Sequence, residues 1–144
     1  MLVNCVAYKN GHKLADIQVE NISDFIQQEN CFVWVAYFEP SESELQDIQK
    51  EFHLHDLAIE DAKNGHQRPK LEEYGDTLFM VVKTIDCVDS EFIEGEVALF
   101  VGKNFVVSVR QVTKNGFTNV RARCENEPLL FKQGSAFVFY AILD

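Results

Sequence analysis

The nine residues His53-Leu54-His55-Asp56-Leu57-Ala58-Ile59-Glu60-Asp61 carry five side chains able to ligate a metal, and His66 lies five positions further on. Such a density suggests a metal site, and the spacing bears on it. His53 and His55 stand two apart, so on a helix they diverge by about 200°, and no His-x-x-x-His pair or cysteine partner supports them as transition-metal ligands. His55 and Asp56 are equally well placed to cap the helix that follows. Glu60 and Asp61 are adjacent, hence about 100° apart on a helix, and cannot converge on one small ion. Each must face its own surroundings, with partners from elsewhere in the chain or from another chain. As oxygen ligands they suit hard cations such as Mg²⁺ or Ca²⁺, and the alternative is two hydrated acids on a helix surface.

Other acids carry less. Glu91, Glu94 and Glu96 could pair as acid and base, but they fall in a polar turn and strand end where hydration is the simpler expectation. Gln67-Arg68-Pro69-Lys70-Leu71-Glu72-Glu73 mixes both charges around a proline, as an edge strand protected against pairing would, with Arg68 and Lys70 able to bond nearby carboxylates. No Ser/His/Asp nucleophile arrangement, phosphate-binding loop or dinucleotide fingerprint occurs.

The elements that must hold these residues follow from periodicity. Leu2 to Tyr8 and Lys13 to Val19 flank Asn10-Gly11 and predict a hairpin. Asn21 is a candidate cap for a short helix carrying Ile22, Phe25 and Ile26 inward. Cys31 to Phe38 is apolar on both faces and predicts a central strand. Ser41 and Glu44 form a capping-box pattern ahead of a helix with Leu45, Ile48 and Phe52 on its inner stripe. Asp56 to Lys63 predicts a helix with Leu57, Ala58 and Ala62 inward, closed at Asn64-Gly65. Strands follow at Lys70 to Tyr74, Thr77 to Cys87, Glu96 to Val101 and Phe105 to Arg110, then a helix from Asn115, and an apolar helix from Gly134-Ser135 through Leu143. About seven strands, buried on both faces, predict a mixed sheet sandwiched between helices, an α/β/α sandwich in a single domain over residues 1–144.

Composition narrows the partners. The 144 residues carry 13 Lys+Arg against 23 Asp+Glu, a net charge of −10, which argues against nucleic acid because that affinity depends on clustered basic residues. The longest apolar run, Ala136 to Leu143, falls far short of the roughly 20 residues of a membrane span, and the first residues lack a signal-peptide pattern. Cys5, Cys31, Cys87 and Cys124 form no close pair and read as reduced thiols of an intracellular protein. The last helix stops at Asp144 without a capping residue, so a longer natural chain is expected.

The run Leu57-Ala58-Ile59-Glu60-Asp61-Ala62, then Asn64, Gln67-Arg68-Pro69-Lys70-Leu71-Glu72 and Tyr74, resembles the signature of the N-terminal cytoplasmic domain of CorA-type divalent-cation transport proteins. Trp34-Val35, Val101-Gly102-Lys103-Asn104-Phe105-Val106-Val107-Ser108-Val109, Val120-Arg121-Ala122-Arg123 and Tyr140-Ala141-Ile142-Leu143-Asp144 match in the same order, so the resemblance spans the chain.

The resemblance implies a regulatory head at the cytoplasmic face of the membrane. In the family a long stalk helix, two membrane spans and a Gly-Met-Asn pore motif follow, assembled as a homo-pentamer. It places regulatory metal ligands at Glu60, Asp61 and Asp144. Asp61 resembles the acid that meets a stalk carboxylate of a neighbouring subunit, and Glu60 and Asp144 resemble members of a second site. The implied ion is Mg²⁺, with Co²⁺ or Ca²⁺ able to stand in, and related members transport Mg²⁺, Co²⁺ or Ni²⁺. The competing expectations are a stand-alone cytoplasmic metal-binding or scaffold protein of the same fold, and a metal-dependent hydrolase built on the histidine and acid cluster.

Overall fold

The computed structural model describes residues 1–112 and 118–143, so Asp144 and the start of the helix expected from Asn115 lie outside the described residues. Strand β1 (Leu2–Lys9) turns through Asn10 and Gly11 into β2 (His12–Asp16). Both turn residues have positive φ, 52° and 83°, the left-handed backbone that Asn and Gly tolerate. A 3₁₀ turn over Val19–Asn21 leads into α1 (Ile22–Ile26). Asn21 does not cap it through its side chain: its backbone, at φ −97° and ψ 1°, is already wound, whereas an N-cap residue needs an extended one.

After β3 (Cys31–Phe38), Ser41 opens α2 (Glu42–Phe52) with the expected capping box. The Glu44 N–H donates to Ser41 Oγ at 3.2 Å and the Ser41 N–H donates to Glu44 Oε1 at 3.0 Å. Leu45, Ile48 and Phe52 are buried, as the stripe predicted, and His53 ends the helix in a left-handed conformation. In α3 (Asp56–Asn64), Ala58 and Ala62 are buried. Leu57, expected to face inward, is 56% exposed: Ala58 and Ala62, four apart, define the packed face and leave position 57 outside it.

The remaining elements are β4 (Lys70–Tyr74), β5 (Thr77–Val88), β6 (Glu91–Val101), β7 (Phe105–Gln111), α4 (Thr118–Asn126), α5 (Pro128–Phe131) and α6 (Ser135–Leu143). The seven strands form one sheet in the order β2-β1-β3-β7-β6-β5-β4, parallel between β3 and β7 and antiparallel at every other junction. β4 is an edge strand, as Pro69 predicted.

Alternation divides the core in two. Val33, Val35 and Tyr37 of β3, Phe79 and Val81 of β5, Ala98 and Phe100 of β6 and Phe105, Val107 and Val109 of β7 pack with Ile22, Leu45, Ile48, Phe52, Ala58 and Ala62. Their neighbours in sequence, Phe32, Trp34, Met80, Leu99 and Val106, pack with Cys124, Phe131, Phe137, Val138 and Ala141. Successive strand residues point to opposite faces, so α1, α2 and α3 cover one face and α4, α5 and α6 the other. The α/β/α sandwich is the observed architecture.

Two further expectations change. The apolar helix α6 is not buried all round: Phe137, Val138 and Ala141 are buried, but Tyr140 is 55% exposed. Strand β6 begins at Glu91, five residues before the expected Glu96, and pairs with β5 to its tip at Val88↔Glu91. Because β4 stops pairing at Val81 and β7 at Glu96, the end of the β5–β6 hairpin runs beyond the sheet as a two-stranded ribbon. No helix among the described residues is long and apolar enough to cross a membrane.

Candidate cation site on α3 and β4

Helix α3 carries Asp56, Glu60 and Asp61. His53 sits in the left-handed residue that ends α2, whereas His55 is the N-cap of α3, its Nδ1 accepting from the Leu57 N–H at 3.1 Å. The His55 ring stacks on Tyr74 with centroids 4.4 Å apart. Asp56 accepts from Gln49 Nε2 at 2.6 Å. Capping and local bonding therefore occupy the cluster, and the described residues contain no group of three or more His, Cys, Asp or Glu side chains arranged to hold a metal.

Glu60 and Asp61 diverge as adjacent helical positions must. Glu60 is exposed on the cleft between α2 and α3, beside Glu42, Gln46 and Lys63, and Lys63 bridges the two helices through Glu42 at 3.0 Å. Asp61 is half-buried and faces β4, where Lys70 Nζ lies 2.5 Å from its Oδ2. The same ammonium lies 2.7 Å from Glu72 Oε1, and the Tyr74 hydroxyl donates to Glu72 Oε2 at 2.6 Å. Residues 70, 72 and 74 alternate along β4, so the strand lines all three up on one face. Hydrogen bonds to Asp61 and then Glu72 push Lys70 above the usual lysine range. The bond from Lys70, with that from Tyr74, holds Glu72 below the usual carboxylate range, and the same Glu72 contact pushes the Tyr74 phenol up.

Lys70 was read as able to bond nearby carboxylates, and it does. Glu72 and Tyr74 were not read as members of the site; their alternation with Lys70 on an edge strand was the available signal. A second ion pair also escaped the sequence. Glu96, expected to be hydrated, is buried and takes Lys83 Nζ at 2.8 Å and the Gln67 N–H at 2.8 Å on the same oxygen. The Glu96 contact pushes Lys83 above its ordinary range.

The donor chemistry of Glu60 and Asp61 fits a hard divalent cation, one carboxylate to each surrounding. Among the described residues neither carboxylate belongs to a group of three or more acids, histidines or cysteines that could hold a metal. Asp144, the third candidate ligand, lies outside the described residues.

Comparison with known proteins gives the fold and its acids a context. Residues 29–144 match the family described as CorA-like Mg²⁺ transporter protein. The chain is 32% identical over 145 residues to the putative metal ion transporter YfjQ of Bacillus subtilis, which covers 99% of this chain and 44% of that protein. It is 31% identical over 103 residues to the cobalt/magnesium transport protein CorA of Thermotoga maritima, covering 69% of this chain and 29% of that one. The chain thus spans less than half the length of these curated relatives. Among solved structures, the soluble domain of CorA from Methanocaldococcus jannaschii superposes with a TM-score of 0.65 at 17% identity, over 99% of this chain and 56% of that one. The full-length CmaX protein gives 0.73 at 13% identity, over 98% and 43%. These likenesses show the same fold, and the family match over most of the chain places it: the chain belongs to the CorA-like Mg²⁺ transporter family.

Proposed function

We propose that residues 1–144 form a single regulatory, ion-sensing domain at the cytoplasmic face of a CorA-like divalent-cation transporter, preceding a stalk helix and membrane segments. The transported ion is Mg²⁺, with Co²⁺ or Ni²⁺ as further cargo, and the working assembly is a homo-pentamer. The domain has no catalytic role. The observation that carries this reading is the divergence of Glu60 and Asp61 on α3, which sends one carboxylate to the exposed cleft beside α2 and the other to β4 in a chain of this family.

At a subunit boundary each carboxylate would meet an acid of a neighbouring chain. Asp61 serves one such meeting, and Glu60 with Asp144 serves the second. Two unit charges about 6 Å apart at an effective dielectric of about 20 repel by roughly 3 kcal/mol, enough to bias two arrangements of the subunits by more than a hundredfold. A bound Mg²⁺, for which Co²⁺ or Ca²⁺ can substitute, supplies positive charge between the acids and so favours the closed assembly. Few carboxylates at each boundary keep the affinity low, as a sensor that must release its ion requires.

The test is the double variant Asp61→Asn with Asp144→Asn in the complete transporter. Neutral amides should abolish Mg²⁺-dependent protection from proteolysis and leave transport active when internal Mg²⁺ is high. Unchanged protection together with unchanged transport regulation overturns the reading.

A further inference from the structure

We propose that Lys70 is a resident cation that competes with divalent metal for Asp61, and that Glu72 is the second carboxylate to which Lys70 retires when metal binds. This rests on the reading of Asp61 as a regulatory ligand and deepens it: the affinity of that site is set from inside the chain.

The geometry already supplies the competitor. Lys70 Nζ lies 2.5 Å from Asp61 Oδ2 and 2.7 Å from Glu72 Oε1, so one ammonium is shared by an acid on α3 and an acid on its own strand. An incoming divalent ion must take the Asp61 oxygen from that ammonium. Losing a charge-assisted bond outright would be expensive, since the Lys70 side chain is only 28% exposed. Glu72 removes most of that expense, because Lys70 keeps a carboxylate partner after it leaves Asp61. Glu72 is itself held in place: Tyr74 donates to its other oxygen at 2.6 Å, and the Tyr74 ring is stacked on His55 at the start of α3. The receiving acid is thus tied to the same helix that carries Asp61.

The arrangement differs from a plain hydrated acid in one respect. A hydrated carboxylate would release only water when it takes Mg²⁺. Here the ammonium must also give up its bond to Asp61, and on Glu72 it stays close enough to repel the incoming ion, so the affinity is lower. Lowered affinity without an added gate is what a sensor of an abundant ion needs.

The test is Mg²⁺ titration calorimetry on the complete protein and its variants. Lys70→Met, which keeps the aliphatic stem, should tighten Mg²⁺ binding by about tenfold, the equivalent of one charge-assisted hydrogen bond. Adding Asp61→Asn should cancel that gain. Glu72→Gln alone should weaken binding, because Lys70 then rests on Asp61 only, and should have no effect once Lys70→Met is present.

Unchanged affinity in Lys70→Met, with binding lost in Asp61→Asn, overturns the competition and leaves the Asp61 reading standing. Binding that ignores Asp61→Asn in both backgrounds overturns the Asp61 reading and this proposal with it. An equal effect of Glu72→Gln in both backgrounds shows simple loss of negative charge and also overturns the competition. Should Lys70→Met fail to fold, Lys70→Arg decides: its forked guanidinium can hold both acids, so Mg²⁺ should bind more weakly, and unchanged affinity overturns the proposal.

Discussion

Cys5, Cys31 and Cys124 are buried and Cys87 is exposed, and all four are free thiols. Burial pushes Cys5 up to about 12, with Glu20, Asp16 and Glu51 adding to the rise, and pushes Cys124 up to about 11; Cys31 is raised by burial as well. At pH 8 only about one Cys5 in ten thousand is then a thiolate, the form that reacts. Iodoacetamide at pH 8 should therefore alkylate Cys87 in the native protein and reach the other three only in denaturant, as peptide mass mapping would show. Native labelling of Cys5 at the rate of Cys87 would contradict the burial. Their wide separation in sequence offers no pairing signal, but Cys87 differs because β5 continues past the sheet, which local pattern does not reveal. The candidate site divides in the same way. That Glu60 and Asp61 must diverge follows from helix geometry alone, whereas Lys70 finds Asp61 only because β4 is brought beside α3. Glu72 and Tyr74 join through that same packing; they stand in the stretch that carries the family resemblance, but only their alternation with Lys70 hints that the three share a face.

Helix entries separate what is local from what is not. The capping box at α2 involves residues three apart, so Ser41 and Glu44 could be read before any fold was known. Replacing Ser41 with Ala should cost about 1 kcal/mol, seen as a lower urea midpoint with an unchanged slope, while Ser41→Gly should cost only a few tenths. Equal stability of Ser41→Ala and the natural protein would show the box to be decorative. Asn21 has an equally suitable side chain and forms no cap, because the 3₁₀ turn before it removes the extended backbone the cap needs. Strand β6 was read five residues short for a related reason. Glu91, Glu94 and Gly95 break the apolar pattern, and those positions are strand only because β5 pairs with them one for one. On that ribbon Phe92 is 81% exposed, so no core-facing signal marked it.

Across the whole molecule, the two helix layers were legible from strands that are apolar on both faces, since such strands exist only where both faces are covered. Strand order was not, because neighbours in the sheet need not be neighbours in the chain. Gly11 shows how distant parts lock together: a Cβ there would lie 2.1 Å from the Pro128 carbonyl oxygen, so the tip of the first hairpin is pressed against the start of α5. Gly11→Ala combines that clash with a φ of 83° and should destabilise the fold by about 1–3 kcal/mol, measured by equilibrium unfolding. A change below a few tenths would mean that hairpin and helix move apart freely. The parallel junction of β3 with β7 has a further consequence. It joins two antiparallel groups, β2-β1-β3 and β7-β6-β5-β4, each assembled from a continuous stretch of chain. Val33 meets Phe105 there across about half the polypeptide, so closing this seam carries the largest loop entropy of any strand pairing in the sheet. That cost predicts that the seam closes after the two groups have formed, and φ-values near zero at Val33 and Val107 would check it.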